Sequence, residues 1–156
     1  MADVIFSRAN LLDGTNPSRP DSTVVVRDNQ IAHVTTGSVE PAPGDRLIDL
    51  AGRTLMPGMV IGHMHIDSGY AKPHNYMDIY ARAERPPGVL MARSMHNCKA
   101  LVASGVTSYV GAGCSNDIDP QLRMIFEDGL LDGPRVTPGS RFINSTGHDA
   151  AMAKWW

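Results

Sequence analysis

The sequence contains little cysteine and no long apolar run, and both shortages exclude classes of protein. Its 156 residues include two cysteines, Cys98 and Cys114, whose spacing fits no metal-binding motif. So low a count is not typical of a small disulfide-rich secreted domain, although a disulfide between the two stays open as an alternative. No apolar run approaches the ~20 residues of a membrane-spanning helix. We therefore expect no membrane span.

Charge is also scarce. The formal net charge is −2 and 19% of the residues are charged, so nothing in the composition favours binding to nucleic acid or to an anionic membrane. The first residues, MADVIFSRANLLDG, carry early acidic residues and lack the apolar core of a secretory signal. The cytoplasm is therefore the expected location.

Residues 1–56 have the pattern of short strands and turns. The stretch STVVVRDNQIAHV holds two β-rich runs, at 24–27 and 31–34, around the turn signal DNQ, which predicts a hairpin. NLLDGTNPSRPD before it and TGSVEPAPGD after it are loops by composition. RLIDLAGRTLMPG predicts two more short strands around an Ala-Gly turn. We expect these residues to form part of a small β-domain.

Residues 57–156 alternate between strand and helix patterns. A buried strand is predicted over 60–66, followed by a long loop to about residue 87. Helices are predicted for GVLMARSMHNCKALVASG and DIDPQLRMIFEDGL, and strands for VTSYVGAG and PRVTPGSRFINS. The order strand, helix, strand, helix, strand indicates right-handed crossovers and a parallel sheet. The fold class is therefore α/β.

Apolar spacing predicts which side of each helix packs. In the first helix one stripe recurs at +4, +3 and +4, and its members are Met91, Met95, Cys98 and Val102. In the second helix we expect Asp119 to cap the amino end. The residues of that helix expected to face the core are Leu122, Ile125 and Phe126.

Two histidines stand one residue apart in MPGMVIGHMHI, at the end of the strand predicted over 60–66. Side chains two apart on a strand point to the same side, so His63 and His65 can bind one metal ion, while Met64 points into packing. Ligands of parallel sheets bind beyond the carboxyl ends of the strands, where GAGCSND and STGHDA also lie. The alternative is that both histidines are surface residues without a metal.

Other polar residues are weaker candidates for this edge of the sheet. A catalytic zinc ion usually needs three protein ligands, and His148, in TGHDA, is the candidate third polar group, with an ordinary loop histidine as the alternative. His74, in the long loop, is a candidate substrate contact, with a solvent-exposed loop residue as the alternative. Asp67, just beyond the pair, is a candidate supporting carboxylate.

The stretch GRTLMPGMVIGHMHID resembles the signature of the amidohydrolase superfamily, in which Pro-Gly leads into a strand ending in His-x-His. NLLDGT followed by VVVRDNQIAHV is similar to the amino-terminal β-domain of these enzymes, and ALVASGVTSYVGAG to their first helix and second strand. FEDGLLDGPRVTPGSRFINSTGHDA is similar to the second helix and third strand of the branch that contains prolidases (Xaa-Pro dipeptidases) and imidazolonepropionases.

This resemblance implies a small β-sandwich segment followed by about the first three βα units of a (β/α)8 barrel. It implies one or two divalent metal ions, usually zinc, that activate water to hydrolyse a C–N amide or peptide-type bond in a small, dipeptide-like substrate. By position, His63 and His65 would be metal ligands, and His148 would lie near the substrate.

A barrel of this kind needs about 250 residues, so the family's later ligands and its catalytic aspartate have no position in this chain. We therefore expect an amino-terminal fragment of a longer enzyme, inactive when isolated and without a catalytic residue of its own. The alternative is a non-catalytic subunit that pairs with a second polypeptide, or an oligomer, to complete the barrel.

Overall fold

The structure is a computed structural model that describes residues 2–68, 85–141 and 143. The chain divides into two compact units, Met1–Pro57 and Gly58–Trp156. No helix in the described part of the chain is long and apolar enough to cross a membrane.

The first unit is built on a five-stranded sheet. Its strands are β1 (Val4–Leu11), β2 (Arg19–Arg27), β3 (Gln30–Thr36), β4 (Arg46–Asp49) and β5 (Thr54–Leu55). The predicted hairpin is confirmed, because β2 and β3 pair antiparallel on either side of the turn at 28–29. Strand β1 pairs antiparallel with β2 and parallel with both β4 and β5.

The two predicted strands around the Ala-Gly turn are also present, as β4 and β5. Ala51 and Gly52 form the turn with φ of 48° and 82°, and both strands pair with β1. The loop predicted over NLLDGTNPSRPD is too long, because β1 continues to Leu11 and β2 already begins at Arg19. Strand propensity does not predict these two strand ends, because what stabilises them is their pairing with each other.

The second unit contains a three-stranded parallel sheet with strand order β6-β7-β8. Its elements are β6 (Met59–Met64), α1 (Pro87–Ala103), β7 (Val106–Gly111), the 3-10 helix Ser115–Asp117, α2 (Ile118–Glu127) and β8 (Arg135–Thr137). The predicted alternation of strands and helices, and the parallel pairing, are therefore confirmed. Together with the sheet of the first unit, this makes the fold α/β.

One face of the parallel sheet carries the core of this unit. Ile61, Tyr109 and Val136 lie opposite one another in register and pack against buried leucines from the two helices. Residues of the opposite face are more open: Val60 is 67% exposed and Val110 is 37% exposed. The described helices thus cover one side of the sheet.

The predicted packing stripe of α1 is partly wrong. The buried residues of the helix are Leu90, Ser94, Asn97 and Cys98, whereas Val102 is 45% exposed. Met91 and Met95 pack against the core only partly buried. The spacing of apolar residues does not predict this buried face, because two of its residues, Ser94 and Asn97, are polar. Their hydrogen bonds make their burial favourable.

The predicted cap of α2 is wrong. The residue that precedes the helix is Asp117, in a left-handed conformation with φ of 52°, and Asp119 lies in the first turn with its side chain fully buried. Leu122 is buried as expected, and Phe126 packs against the core partly buried. The side chain of Asp119 therefore lies in the protein interior and does not cap the helix.

Candidate metal centre

The His-x-His pair lies where β6 ends. His63 is inside the strand, and His65 is the first residue beyond Met64, so the strand predicted to residue 66 is two residues too long. Met64 is buried in the same core that Ile61 packs against, and the pairing of β6 with β7 shifts register between these two residues. The rings of His63 and His65 have their centroids 5.1 Å apart and their planes at 87°. The structure therefore brings the two imidazoles together.

The loop after β7 fixes the orientation of His65. Its Nδ1 lies 2.8 Å from the carbonyl oxygen of Gly113. Because a carbonyl oxygen only accepts, Nδ1 carries the hydrogen, and the neutral ring has its lone pair on Nε2. Metal-binding histidines are usually held by such a bond from their other nitrogen. Gly113 has a φ of 110°, which favours glycine at this position.

Two further bonds join the segments that follow β6 and β7. The N–H of Ala112 donates to the carbonyl oxygen of Met64 at 2.9 Å, and the N–H of Ser115 donates to Oδ2 of Asp67 at 3.0 Å. Asp67 is fully buried, so its carboxylate supports the loop after β7 rather than facing solvent.

The segment after β8 joins the same edge of the sheet. The N–H of Cys114 donates to the carbonyl oxygen of Ser140 at 2.7 Å. Ser140 in turn donates through its hydroxyl to Asp117, 2.8 Å away, and Arg141 forms an ion pair with the same carboxylate. The carboxyl ends of all three strands therefore meet, as the strand order predicted. His74 and His148 lie outside the described residues, so their predicted roles stay predictions.

Tyr109, Asp119 and Gly139 form a buried polar cluster that the sequence does not predict. The hydroxyl of Tyr109 donates to Oδ1 of Asp119 at 3.3 Å, and the N–H of Gly139 donates to Oδ2 at 3.4 Å. Burial raises the pKa of the Asp119 carboxyl, and the hydrogen bonds from Gly139 and Tyr109 oppose that rise. No sequence signal identifies the cluster, because its members come from β7, from α2 and from the segment after β8.

Both cysteines are free, buried thiols, so the alternative of a disulfide between them is wrong. Burial raises the pKa of Cys98 and of Cys114 to about 12. The thiolate is the form that binds metals and attacks electrophiles. Neither thiol is therefore a suitable ligand or nucleophile near neutral pH.

Within residues 2–68, 85–141 and 143, no three His, Cys, Asp or Glu side chains form a group that could hold a metal ion. The described part of the chain thus offers a pair of imidazoles, fewer than the three protein ligands of a typical catalytic zinc site.

Comparison with known proteins gives consistent relatives. No model of a protein family matches the chain. It is 37% identical over 76 residues to an N-acyl-D-aspartate deacylase of Alcaligenes xylosoxydans xylosoxydans, covering 49% of this chain and 15% of the relative. It is 24% identical over 166 residues to an adenine deaminase of Brucella suis, covering 94% of this chain and 27% of the relative.

Among solved structures, a Xaa-Pro dipeptidase with methionine in its active site matches with a TM-score of 0.79 and 21% identity. The match covers 94% of this chain and 35% of the dipeptidase, so the chain spans about a third or less of the length of each of these proteins. The dipeptidase establishes the fold, and the deacylase and deaminase are homologues that act on carbon–nitrogen bonds. The chain is therefore similar, over part of their length, to members of the amidohydrolase superfamily.

Proposed function

We propose that this chain is the amino-terminal part of a metal-dependent amidohydrolase, in which His63 and His65 bind a divalent metal ion, most simply zinc. The observation that carries the proposal is the 2.8 Å bond from Nδ1 of His65 to the carbonyl oxygen of Gly113. That bond puts the lone pair of the ring on Nε2 in a histidine whose ring already lies beside that of His63.

The residues of this chain would hold and orient the metal rather than carry out proton transfer. His63 and His65 would bind it, Gly113 would orient the ring of His65, and Asp67 would support the loop that carries Gly113. When bound, such an ion supplies a Lewis acid that activates water for attack on a carbonyl-type carbon. The catalytic aspartate and the remaining ligands would come from residues outside this chain.

The proposed substrate is a small molecule with a C–N bond. The relatives are named as a deacylase, a deaminase and a dipeptidase, and this range supports the bond type while leaving the substituents open. The similarity in fold to a Xaa-Pro dipeptidase supports a dipeptide-like substrate. We propose His148 as a residue near the substrate and His74 as a weaker candidate for substrate contact.

Further βα units are proposed to cover the open side of the parallel sheet. Val60 is 67% exposed and Val110 is 37% exposed on the face opposite the helices, and apolar side chains in a sheet gain free energy when another layer buries them. The covering units would belong either to a longer form of this chain or to a second polypeptide. With a net charge of −2, nucleic acid is not a proposed partner, and the cytoplasm is the proposed location.

The metal proposal is tested by zinc binding to the purified 156-residue chain. Bound zinc is measured by elemental analysis and by competition with a chelator, for the wild type and for His63→Ala and His65→Ala. His96→Ala is the matched control, because His96 is an exposed histidine on α1. We expect both test variants to lose the zinc that the wild type and the control retain. A folded wild type that binds no zinc, or equal binding by the test variants, would refute the proposal.

A further inference from the structure

One buried asparagine joins α1 to the residues that follow His65. Asn97 is 8% exposed, and its Nδ2 lies 2.7 Å from the carbonyl oxygen of Ile66 and 2.8 Å from that of Ser68. The side-chain amide has two hydrogens on this nitrogen, so one can go to each carbonyl. Asn97 therefore uses its whole donor capacity on one turn of the chain.

That turn begins at the candidate metal ligand. The N–H of Ser68 donates to the carbonyl oxygen of His65 at 3.0 Å, which closes a turn over residues 65–68. Asn97 binds the second and the fourth residue of this turn. Ile66 is fully buried, so its carbonyl depends on the protein for a partner.

His65 is thus held from two sides. Its ring bonds to Gly113 in the loop after β7, and the backbone just after it is bound to α1 through Asn97. A ring reaches a fixed carbonyl at 2.8 Å only if its own backbone is correctly placed, because His has two side-chain torsions with which to adjust. The placement of Nδ1 therefore depends on the position of the turn.

We propose that Asn97 is a positioning residue for His65: by binding Ile66 and Ser68 to α1, it keeps Nδ1 of His65 on the carbonyl of Gly113 and so presents Nε2 to a metal ion. The second half of this inference rests on the proposed function. The first half, the orientation and tautomer of His65, holds whether or not a metal binds.

The competing interpretation is that Asn97 only helps α1 pack on the sheet. Ser94 provides the matched control, because it is fully buried on the same face of the helix. Its hydroxyl donates to the carbonyl oxygen of Leu90, in the preceding turn of the same helix, at 2.8 Å. Removing it disturbs the packing of α1 without removing a bond to the turn at 65–68.

The experiment measures the tautomer of His65 in the metal-free chain by long-range proton–nitrogen NMR with labelled histidine. Asn97→Asp keeps the size of the side chain but offers no donor when ionised, and Asn97→Ala removes the amide altogether. We expect the wild type and Ser94→Ala to show the Nδ1–H tautomer, and both Asn97 variants to show a mixture with the Nε2–H form. An unchanged tautomer in a folded Asn97 variant would overturn the inference.

Zinc affinity gives the second readout. Residues that orient a metal ligand typically contribute 10–100-fold in affinity, so we expect a loss of about that size in the Asn97 variants and no loss in Ser94→Ala. If the wild type binds no zinc, the proposed function fails, while the tautomer comparison still decides the role of Asn97. Equal zinc affinity in all three variants would overturn the role of Asn97 at the metal.

A measurement on the wild type covers the case in which the Asn97 variants do not fold. The two side-chain amide hydrogens of Asn97 should exchange slowly with solvent, because both are bonded inside the protein. Exchange at the rate of a solvated amide would show that the bonds to the turn do not form, and would overturn the inference.

Discussion

The carboxylate of Asp119 occupies the space that a β-carbon on Gly111 would need. Such a carbon would lie 1.9 Å from Oδ2 of Asp119 and 2.7 Å from the backbone nitrogen of Gly139. The last residue of β7 and the buried acid of α2 are therefore matched in shape. This close approach lets the segments after β7 and β8 meet at the edge where the histidines lie.

Gly111→Ala should destabilise the protein. Inserting a methyl group into a closely packed site typically costs about 1–3 kcal/mol, and the free energy of unfolding, measured in denaturant, should fall by about that much. The double variant with Asp119→Ala should recover part of the loss, because the carboxylate that clashes is gone. Losses that simply add in the double variant would contradict the contact between the two residues.

Gly113→Ala should weaken both folding and metal binding. Gly113 has a φ of 110°, where a residue with a β-carbon is strained by about 1–3 kcal/mol. Relief of that strain would move the carbonyl away from His65, so zinc affinity should fall as well. Gly62→Ala is the control, because among the described residues nothing lies within 4 Å of its added carbon. Wild-type zinc affinity in Gly113→Ala would contradict the role of this carbonyl.

Asp119→Asn should change how stability depends on pH. Burial raises the pKa of Asp119 above its ordinary value of 3.8, so the folded protein keeps this proton to a higher pH than the unfolded chain. Its contribution to the free energy of unfolding is fully present below pH 3.8. The contribution is lost as pH rises through the folded pKa, by at most about 1.4 kcal/mol per pH unit.

The wild type should therefore lose stability relative to Asp119→Asn as the pH rises above 3.8, as measured by denaturant unfolding at each pH. Asp132→Asn, at an exposed position of the chain, controls for the general effect of removing a negative charge. Parallel pH profiles for the wild type and Asp119→Asn would show that Asp119 keeps an ordinary pKa in the folded state.

Both thiols should be inert in the folded protein. With a pKa of about 12 for each cysteine, a thiol is ionised at pH 8 in only about one molecule in 10⁴, and burial hinders access as well. A disulfide reagent should therefore label neither residue under native conditions and label both in denaturant. Fast labelling of Cys98 or Cys114 at pH 8 without denaturant would show that this core opens readily.

Much of the fold follows from local pattern. Strand propensity and turn residues predict the hairpin of β2 and β3. Apolar spacing predicts the alternation of strands and helices from β6 to β8, and a glycine marks the helix end near Gly105. The burial of Met64 also depends on a register shift between Ile61 and Met64 in the pairing with β7, which alternation alone does not predict. The predictions failed where contacts between distant residues decided the outcome, as with the buried Asn97 of α1 and the start of β2.

The sequence by itself determined that His63 and His65 lie close together, because they are two residues apart at the end of a strand. It also determined the edge of the sheet on which they lie, because that edge follows from the order of strands and helices. Tertiary structure decided which nitrogen of His65 carries its hydrogen and where the side chains of Asn97 and Asp119 point. These depend on Gly113, on the turn at 65–68 and on Gly139. Such contacts join residues from 20 to 48 positions apart, and local spacing carries no information about them.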